Sequence, residues 1–393
     1  MHTAAARELH VLVLPSYYPT AHGPYSGTFF QDWAGALHRV GVTTGVAYVE
    51  GRGLRTFSLG AIKETHFQTT TAVEAGVPTV RLAGWNPLAQ FTPGGLLWIR
   101  LAQRVIRQYI DRYGRPDVIA AQSVLWAGAA ALRAKATWNL PYVITEVHTG
   151  FGTGTVTGAE AAISRKAFAH AEAVVAISEN LRAKLAAMGA ARAVPLIPCT
   201  MDEAYWTLPP QPRTRVPFTF YGQAHLTPRK GFDLLIRAFA RRFRGDSGVR
   251  LVIGGDGPIR ADLETLAAAS GVQAQVTFLG AIPRDAVRDA MWAANCFVLP
   301  SHAENFGVVL IEALSTGLPI VSTRCGGPED IINDEVGILL RPGDEDGLAD
   351  ALVAMRARAS FDADAIRAYA VRRYGYGVVG AQLRDLYRRV LCR

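Results

Sequence analysis

Short apolar runs alternate with longer helix-like runs along almost the whole sequence, and this alternation restricts the fold more than any other feature. The apolar runs, from His10–Pro15 to Gly337–Leu340, are typical of buried strands. Most of them are separated by ten or more residues with helical periodicity. Because neighbouring parallel strands need helical crossovers, the pattern predicts α/β domains built on doubly wound parallel sheets.

The chain is long for a single hydrophobic core, since it has 393 residues, and two domains are expected. Its most proline-dense segment, 209–217, divides the sequence into halves of similar length and predicts an extended linker. We therefore predict a first domain over residues 1–205 and a second over residues 206–372. The pattern also predicts a last helix in 373–393, which is additional to the helices that the second sheet needs to connect its strands.

Composition narrows the class of protein. Half of the residues are hydrophobic and 19% are charged, as in folded globular proteins. No stretch reaches the roughly 18 consecutive apolar residues of a membrane span, and residues 1–8 show no signal-peptide pattern. The cysteines show no paired spacing, which favours reduced thiols; they are Cys199, Cys296, Cys325 and Cys392. We expect a cytoplasmic protein.

The net charge of +8 comes mostly from arginines on apparent helices. Such a surface could attract anionic lipid, although solvated helix faces are the more common explanation. No nucleic-acid-binding motif accompanies the charge, so no nucleic acid partner is expected.

The segment with the most chemical information follows the apolar run 296–300. A polar turn leads from this run into a helix predicted to begin at Val308. The backbone N–H groups of Asn305, Phe306 and Gly307 are therefore expected at a helix N-terminus, above the carboxyl end of a strand. Such positions bind anions, phosphates above all.

Two carboxylates bracket this turn. Glu304 precedes it, and Glu312 lies about a turn and a half into the helix. A bare pair of Glu residues at this spacing is more often two solvated helix residues. An anion cradle flanked by two acids, however, suits a ligand that is part phosphate and part polyol. A nucleotide sugar is such a ligand.

The string around this pair resembles the retaining glycosyltransferase family 4. Glu304-x7-Glu312 is similar to the acidic pair of the family, and Gly317-Leu-Pro and Cys325-Gly-Gly-Pro-Glu follow at the family's usual places. The resemblance implies the GT-B architecture. In that architecture two Rossmann-like domains face each other across a cleft, and the C-terminal helix crosses back to the first domain.

A basic pair precedes a helix near the start of the second half. Arg229 could hold a diphosphate through a bidentate fork and Lys230 as a point charge. An exposed basic loop is the commoner case for such a pair alone. Lys230 matches the family's phosphate-binding Lys, whereas Gln223 stands where the family has Arg. We therefore interpret Arg229 as its substitute.

Three further candidates complete the predicted site. By resemblance, backbone groups near Ile282 would recognise the nucleotide base. Gly27 follows the first strand and could place bare N–H groups against a phosphate or the sugar. His148 lies one residue from the place of a family His near the sugar hydroxyls, and a plain loop histidine is the alternative. Glu146 is a lesser candidate. The sequence 254–258, Gly-Gly-Asp-Gly-Pro, is interpreted mainly as a structural turn.

The resemblance implies a retaining, metal-independent transferase that moves a hexose-type sugar from a UDP- or GDP-sugar to an acceptor hydroxyl. In this scheme Glu304 and His148 are catalytic and Glu312 binds the ribose. The other donor-binding residues are Gly27, Arg229, Lys230, Ile282, Asn305, Phe306, Gly307 and Val308. No cofactor and no metal are expected, because positive side chains and helix dipoles can stabilise a departing diphosphate.

The implied acceptor is a carbohydrate or a lipid-linked molecule in glycan, glycolipid or polysaccharide synthesis. Peripheral association with the anionic inner face of a membrane is a further expectation. Two alternatives stay open. One is a sugar-nucleotide epimerase of the same architecture, which would need acid and base groups at the sugar ring. The other is a non-catalytic nucleotide-sugar-binding protein.

Overall fold

The computed structural model divides the chain into two compact units. It describes residues 8–20, 27–52, 67–86, 88, 92–147, 150, 156, 158–190, 194–358 and 361–392. Met1–Thr200 and Tyr376–Arg393 form the first unit, and Met201–Gly375 forms the second. The unit boundaries thus lie a few residues from those we predicted. The proline-dense segment 209–217 is part of the second unit and does not separate the units.

The first unit is built on a seven-stranded sheet. Its strands are β1 (His10–Pro15), β2 (Thr43–Arg52), β3 (Gln68–Glu74), β4 (Val77–Trp85), β5 (Val118–Gln122), β6 (Tyr142–Glu146) and β7 (Ala173–Ala176). They lie in the order β3-β4-β2-β1-β5-β6-β7. All neighbours are parallel except β3 and β4, which form an antiparallel hairpin at one edge.

Within the described residues, four helices connect strands of this sheet, and a fifth follows its last strand. They are α1 (Thr28–Arg39), α2 (Thr92–Tyr113), α3 (Ala129–Trp138), α4 (Gly158–His170) and α5 (Glu179–Ala187). The central strands β5 and β6 are buried along their whole length. This explains their continuous apolar character, because helices cover both faces of a doubly wound sheet.

The second unit has a six-stranded, fully parallel sheet. Its strands are β8 (Phe218–Gln223), β9 (Val249–Gly254), β10 (Val276–Gly280), β11 (Cys296–Leu299), β12 (Ile320–Thr323) and β13 (Gly337–Leu340). Its helices are α6 (Phe232–Phe243), α7 (Arg260–Ala269), α8 (Arg284–Ala293), α9 (Val308–Ser315), α10 (Pro328–Ile331), α11 (Glu345–Ala357) and α12 (Ala363–Tyr374).

The strand order of the second sheet is β10-β9-β8-β11-β12-β13. Chain connections run outward from β8 on one side and from β11 on the other. These two strands therefore flank the topological switch point, where the loops after their carboxyl ends diverge and leave a crevice for ligands. With two α/β units on largely parallel sheets, the fold class predicted from the sequence is confirmed.

The last helix, α13 (Tyr376–Leu391), packs against α1 in the first unit. The Tyr376 hydroxyl donates a hydrogen bond of 2.6 Å to the buried carboxylate of Asp32. Gly380 brings the two helices close together, since a Cβ atom there would lie 2.2 Å from the carbonyl oxygen of Ala36. Within the described ranges, no helix combines the length and the apolar character needed to cross a membrane.

The contact between α1 and α13 predicts different effects on stability for two glycine substitutions in α13. Gly380→Ala forces a methyl group against the backbone of α1 and should lower the unfolding free energy by about 1–3 kcal/mol. Gly377→Ala is the matched control, because a Cβ there meets no atom within 4 Å. It should be neutral or stabilising by up to about 1 kcal/mol. Thermal unfolding followed by circular dichroism measures both, and equal melting temperatures would contradict this packing.

Candidate functional site

An ion pair occupies the switch point of the second sheet. Lys230 ends the short turn Pro228–Lys230 that follows β8, and Glu304 lies in the loop that follows β11. The Lys230 ammonium is 2.5 Å from Glu304 Oε1. The Lys230 and Glu304 side chains are only 15% and 8% exposed, so each charge depends on the other in a partly desolvated crevice.

Further hydrogen bonds hold Glu304 in place. The Ser301 hydroxyl donates to Glu304 Oε1 over 2.8 Å. The Glu304 N–H donates to the carbonyl of Cys325 over 3.2 Å, and the Gly327 N–H donates to the carbonyl of Glu304 over 2.9 Å. Both the carboxylate and the backbone of Glu304 are therefore positioned by neighbouring groups. Sequence reasoning did not single out Ser301, although polar residues directly after a buried strand are typical of such sites.

The loop after β12 braces the loop after β11. The hydroxyls of Ser322 and Thr323 donate to the carbonyls of Leu299 and Ser301 over 2.7 and 2.5 Å. Gly327 lies so close that a Cβ there would be 2.2 Å from the Cα of Phe306. The Cys-Gly-Gly-Pro string thus acts as a support for the crevice.

The turn before α9 presents backbone groups as predicted from the sequence. Gly307 is the N-cap of the helix, with φ of 94°, and Val308 is its first residue. The Phe306 side chain is buried and packs edge-on against Tyr374, with ring centroids 6.0 Å apart. Phe306 can therefore offer a ligand only its backbone. Asn305 is half-buried beside it.

Glu312 lies on α9 with its side chain 13% exposed. Its Oε1 is 3.8 Å from Nη2 of Arg284, the first residue of α8. The Arg284 guanidinium stacks over the rings of Tyr205 and Trp206, at 5.0 and 5.3 Å from their centroids. Arg284 was missed because its approach to Glu312 depends on two separate helices.

Ile282 lies two residues before Arg284 and is half-buried. It belongs to the loop between β10 and α8. Helix α8 begins at Arg284, which lies beside Glu312. The Glu312 carboxylate also adds to the effect of burial in raising the pKa of Tyr221. Arg284 therefore links Glu312 to the loop that contains Ile282.

Arg229 does not join Lys230 at the ion pair. Its carbonyl accepts a hydrogen bond of 2.8 Å from the His302 N–H, which ties the two switch-point loops together. Arg229 borders a cavity of about 620 Å³ with Asp233, Asp262 and His302, and neither Lys230 nor Glu304 borders that cavity. That Arg229 replaces the family's Arg at a bound diphosphate stays a prediction.

Gln223 occupies the position at which the family has Arg, so this position carries no charge. It ends β8, and its side-chain carbonyl accepts a hydrogen bond of 2.7 Å from the Tyr221 hydroxyl. The Gly-Gly-Asp-Gly-Pro turn packs closely on the same segment, because a Cβ at Gly255 would lie 1.8 Å from the carbonyl oxygen of Ala224. These contacts support the structural interpretation of this turn.

The candidates of the first unit have different outcomes. Gly27 is the N-cap of α1, with φ of 77°, and contacts the backbone of Tyr17. His148 lies outside the described residues. Glu146 is fully buried and accepts hydrogen bonds from the N–H groups of Val124 and Val147, over 2.7 and 2.9 Å. It therefore holds the turn after β5 in place.

Among the residues that the structure describes, no group of three or more His, Cys, Asp or Glu side chains is arranged to hold a metal ion. Cationic side chains instead approach the two acids, since Lys230 pairs with Glu304 and Arg284 lies 3.8 Å from Glu312. The site as described offers side-chain cations and backbone N–H groups to an anionic ligand.

Two family models match the chain. The model described as glycosyl transferases group 1 matches residues 215–361. The model described as glycosyl transferase 4-like domain matches residues 5–200. The first covers the ion pair and α9, and the second covers most of the first unit.

Two of the similar curated proteins differ in how much of the chain they match. The gpi3 subunit of phosphatidylinositol N-acetylglucosaminyltransferase from Schizosaccharomyces pombe is 42% identical over 123 residues, which cover 31% of this chain and 27% of that protein. The chain thus matches about a quarter of that relative's length. The putative teichuronic acid biosynthesis glycosyltransferase TuaC of Bacillus subtilis is 24% identical over 366 residues, which cover 88% of both chains.

Solved structures share the fold over nearly the whole chain. Sucrose-phosphate synthase from Thermosynechococcus elongatus superposes with a TM-score of 0.74 at 20% identity, covering 98% of this chain and 99% of that one. Anabaena HepE in complex with UDP-glucose has a TM-score of 0.71 at 18% identity, covering 97% and 100%. At these identities the likeness concerns the fold alone.

The close contact between Gly327 and the backbone of Phe306 leads to a prediction for Gly327→Ala. The added methyl group would meet the backbone of Phe306, while the helical φ of Gly327 suits alanine. The start of α9 should shift, and nucleoside diphosphate binding should weaken by roughly tenfold to 100-fold, as expected for a misplacement near 1 Å. Calorimetry measures the affinity, with Gly377→Ala as control. An unchanged affinity in a folded Gly327→Ala protein would show that this contact does not position the start of α9.

Proposed function

Because the chain belongs to the family 4 glycosyltransferases, we propose that it transfers a sugar from a nucleoside diphosphate donor to an acceptor hydroxyl, with retention of configuration. The observation that carries this proposal is the Lys230–Glu304 ion pair at the switch point of the second sheet. It places a cation for the diphosphate and a carboxylate for the sugar side by side.

The donor binds along the carboxyl edge of the second sheet. Its diphosphate meets Lys230 and the N–H groups before Val308, where the α9 dipole favours negative charge. Glu312 accepts hydrogen bonds from the ribose hydroxyls, and the loop at Ile282 meets the base. The complex of HepE with UDP-glucose supports a UDP-sugar as donor, and a GDP-sugar is the alternative.

Lys230 changes partner when the donor binds. In the resting structure its charge is compensated by Glu304, so the incoming diphosphate competes for the ammonium. The Glu304 carboxylate is then left with the hydrogen bond from Ser301 and faces the sugar. A carboxylate in this position stabilises the positive charge that develops at the anomeric carbon in the transition state.

Sugar transfer then needs no enzymic nucleophile. The bond between the anomeric carbon and the phosphate oxygen breaks, and the acceptor oxygen bonds to the same face of that carbon. The acceptor proton passes to the departing diphosphate, whose negative charge Lys230 and the α9 N-terminus stabilise. No metal takes part in this scheme.

The relatives suggest a hexose-type sugar and a role in glycan or polysaccharide synthesis. One is a subunit of a phosphatidylinositol N-acetylglucosaminyltransferase, and the other is assigned to teichuronic acid biosynthesis. The proposed acceptor is accordingly a carbohydrate or a lipid-linked molecule.

Peripheral binding to an anionic membrane is a second part of the proposal, and α2 supports it. Arg100, Arg104 and Arg107 are exposed on this helix with the spacing of one helical face. None of the three forms an ion pair within the described part of the chain. Leu96 extends the same face and is 49% exposed. Basic and apolar side chains together are typical of helices that lie on a lipid surface.

The two glutamates should lose function in different ways. A thermal-shift comparison of UDP- and GDP-sugars first selects the donor, since a ligand at 100 times its Kd stabilises by about 2.7 kcal/mol. Glu304→Gln should then lower kcat by roughly 100-fold to 1,000-fold. It should leave donor binding equal or tighter, because Lys230 loses its competing anion. Glu312→Gln should mainly raise the donor KM, by about 1.5–3 kcal/mol in binding energy.

Kinetics with labelled donor and calorimetric donor binding decide between these roles. Near-normal kcat in Glu304→Gln would contradict the assignment of that residue.

Product analysis distinguishes a transferase from an epimerase and from a non-catalytic binding protein. Transfer to an acceptor supports the proposal, whereas an altered nucleotide sugar formed from donor alone indicates an epimerase, and binding without any turnover indicates a binding protein.

The membrane proposal predicts that replacing Arg100, Arg104 and Arg107 together with Gln weakens binding to anionic liposomes. Each basic residue near such a surface contributes roughly 1 kcal/mol, so the loss should approach 100-fold at low salt. Flotation with anionic and neutral liposomes measures it. A variant with Gln at the exposed Arg372, Arg388 and Arg389 is the control for equal charge change. Equal losses in both variants would count against a specific role for α2.

A further inference from the structure

A second cavity of about 440 Å³ lies at the opposite edge of the second sheet from the ion pair. Its walls include Phe218, which begins β8, Asn295, which precedes β11, and Pro319, which precedes β12. These are the amino ends of the three central strands. The donor site lies at their carboxyl ends, so the cavity is not part of the site described above.

The cavity is unusually rich in positive charge. Arg213, Arg215 and Arg358 line it, and none of its lining residues, all of which the structure describes, is acidic. Arg213 donates to the carbonyl of Thr316 behind α9, and Arg215 donates to the carbonyl of Arg358 behind α11 over 2.8 Å. A helix C-terminus offsets only about half an elementary charge. The positive charge of Arg213 is therefore only partly offset by the carboxyl end of α9.

Arg213 shows this imbalance most clearly. Its Nε is buried and has no hydrogen-bond partner within the described residues. Burial lowers the pKa of its guanidinium to about 10, which reflects the cost of holding the charge away from water. A buried cation with too few partners is costly, and an anion beside it would offset that cost.

Arg358 is held in a geometry suited to such an anion. Its guanidinium carbon lies 4.1 Å from the ring centroid of Phe361, so the planar group rests on the aromatic face. Among the described residues no carboxylate pairs with it. The N–H edges of a stacked guanidinium can bind phosphate through two parallel hydrogen bonds.

The rest of the cavity is apolar. Leu208, Pro209, Pro210, Pro212 and Met355 form much of its wall, together with Phe218. Its volume falls within the range of small-molecule sites. We propose that this pocket binds a phosphate group carried by a small molecule with an apolar body, the phosphate lying against Arg213 and Arg358 and the body against the proline-rich wall.

The proposal is tested with hexyl phosphate and inorganic phosphate as probes, by calorimetry on the full chain. The double variant with Lys230→Ala and Glu304→Gln serves as the parent protein, because it removes the cation that would bind phosphate at the switch point without leaving a buried carboxylate unpaired. The parent should bind hexyl phosphate saturably and at least about tenfold more tightly than inorganic phosphate, owing to the buried methylene groups. Arg358→Gln in this parent should weaken hexyl phosphate binding by about tenfold or more.

Arg358 is exposed, so its replacement should leave the fold intact. Arg372→Gln removes the same charge from an exposed position outside the cavity and is the matched control, with an affinity expected to equal that of the parent. Equal affinities for the two phosphates would overturn the apolar part of the proposal. No saturable binding to the parent, or binding unaffected by Arg358→Gln, would overturn the site itself.

Discussion

The ion pair between Lys230 and Glu304 is the interaction on which the proposed chemistry of this protein depends. A carboxylate that is almost fully buried needs a cation and hydrogen bonds, and Lys230 and Ser301 supply them. The parallel sheet brings these groups together, because β8 and β11 are neighbours whose following loops meet at one edge. The loop after β12 then holds Glu304 in register through its backbone. The ion pair is therefore assembled by sheet topology, because its two residues are far apart in sequence.

A compensated pair of this kind also explains how the site can be stable before the donor arrives. Neither charge is left alone in the crevice, and a diphosphate can replace the carboxylate as the partner of Lys230. In the proposed complex Glu304 would carry an unbalanced negative charge beside the sugar, where such a charge stabilises the transition state. The same exchange of partners at Lys230 would bind the donor and free the Glu304 carboxylate to act on the sugar.

Much of the fold could be predicted from the sequence, because strands buried on both faces must be apolar along their whole length. Cys296–Leu299 illustrates this well. The proline-dense segment 209–217 was placed wrongly between the domains. Proline content indicates an extended backbone but not the surface on which it packs, and here arginines tie the segment to the ends of α9 and α11.

The candidate site was predictable where its residues are close in sequence, as in the turn from Glu304 to Val308. Arg284, Ser322 and Thr323 were missed because their contacts join different strands and helices. Arg229 shows a further limit. It is adjacent to Lys230, yet only the structure shows that Lys230 pairs with Glu304 whereas Arg229 borders a cavity that neither of them lines.

A crystal structure of the protein with its nucleotide-sugar donor would show whether Lys230 exchanges Glu304 for the diphosphate. We expect the diphosphate at the carboxyl ends of β8 and β11, with a phosphate oxygen about 2.7–2.9 Å from the Lys230 ammonium. We also expect Glu304 to be released from Lys230 and directed at the sugar. A donor bound elsewhere, with the Lys230–Glu304 pair intact and no phosphate contact to Lys230, would contradict this exchange.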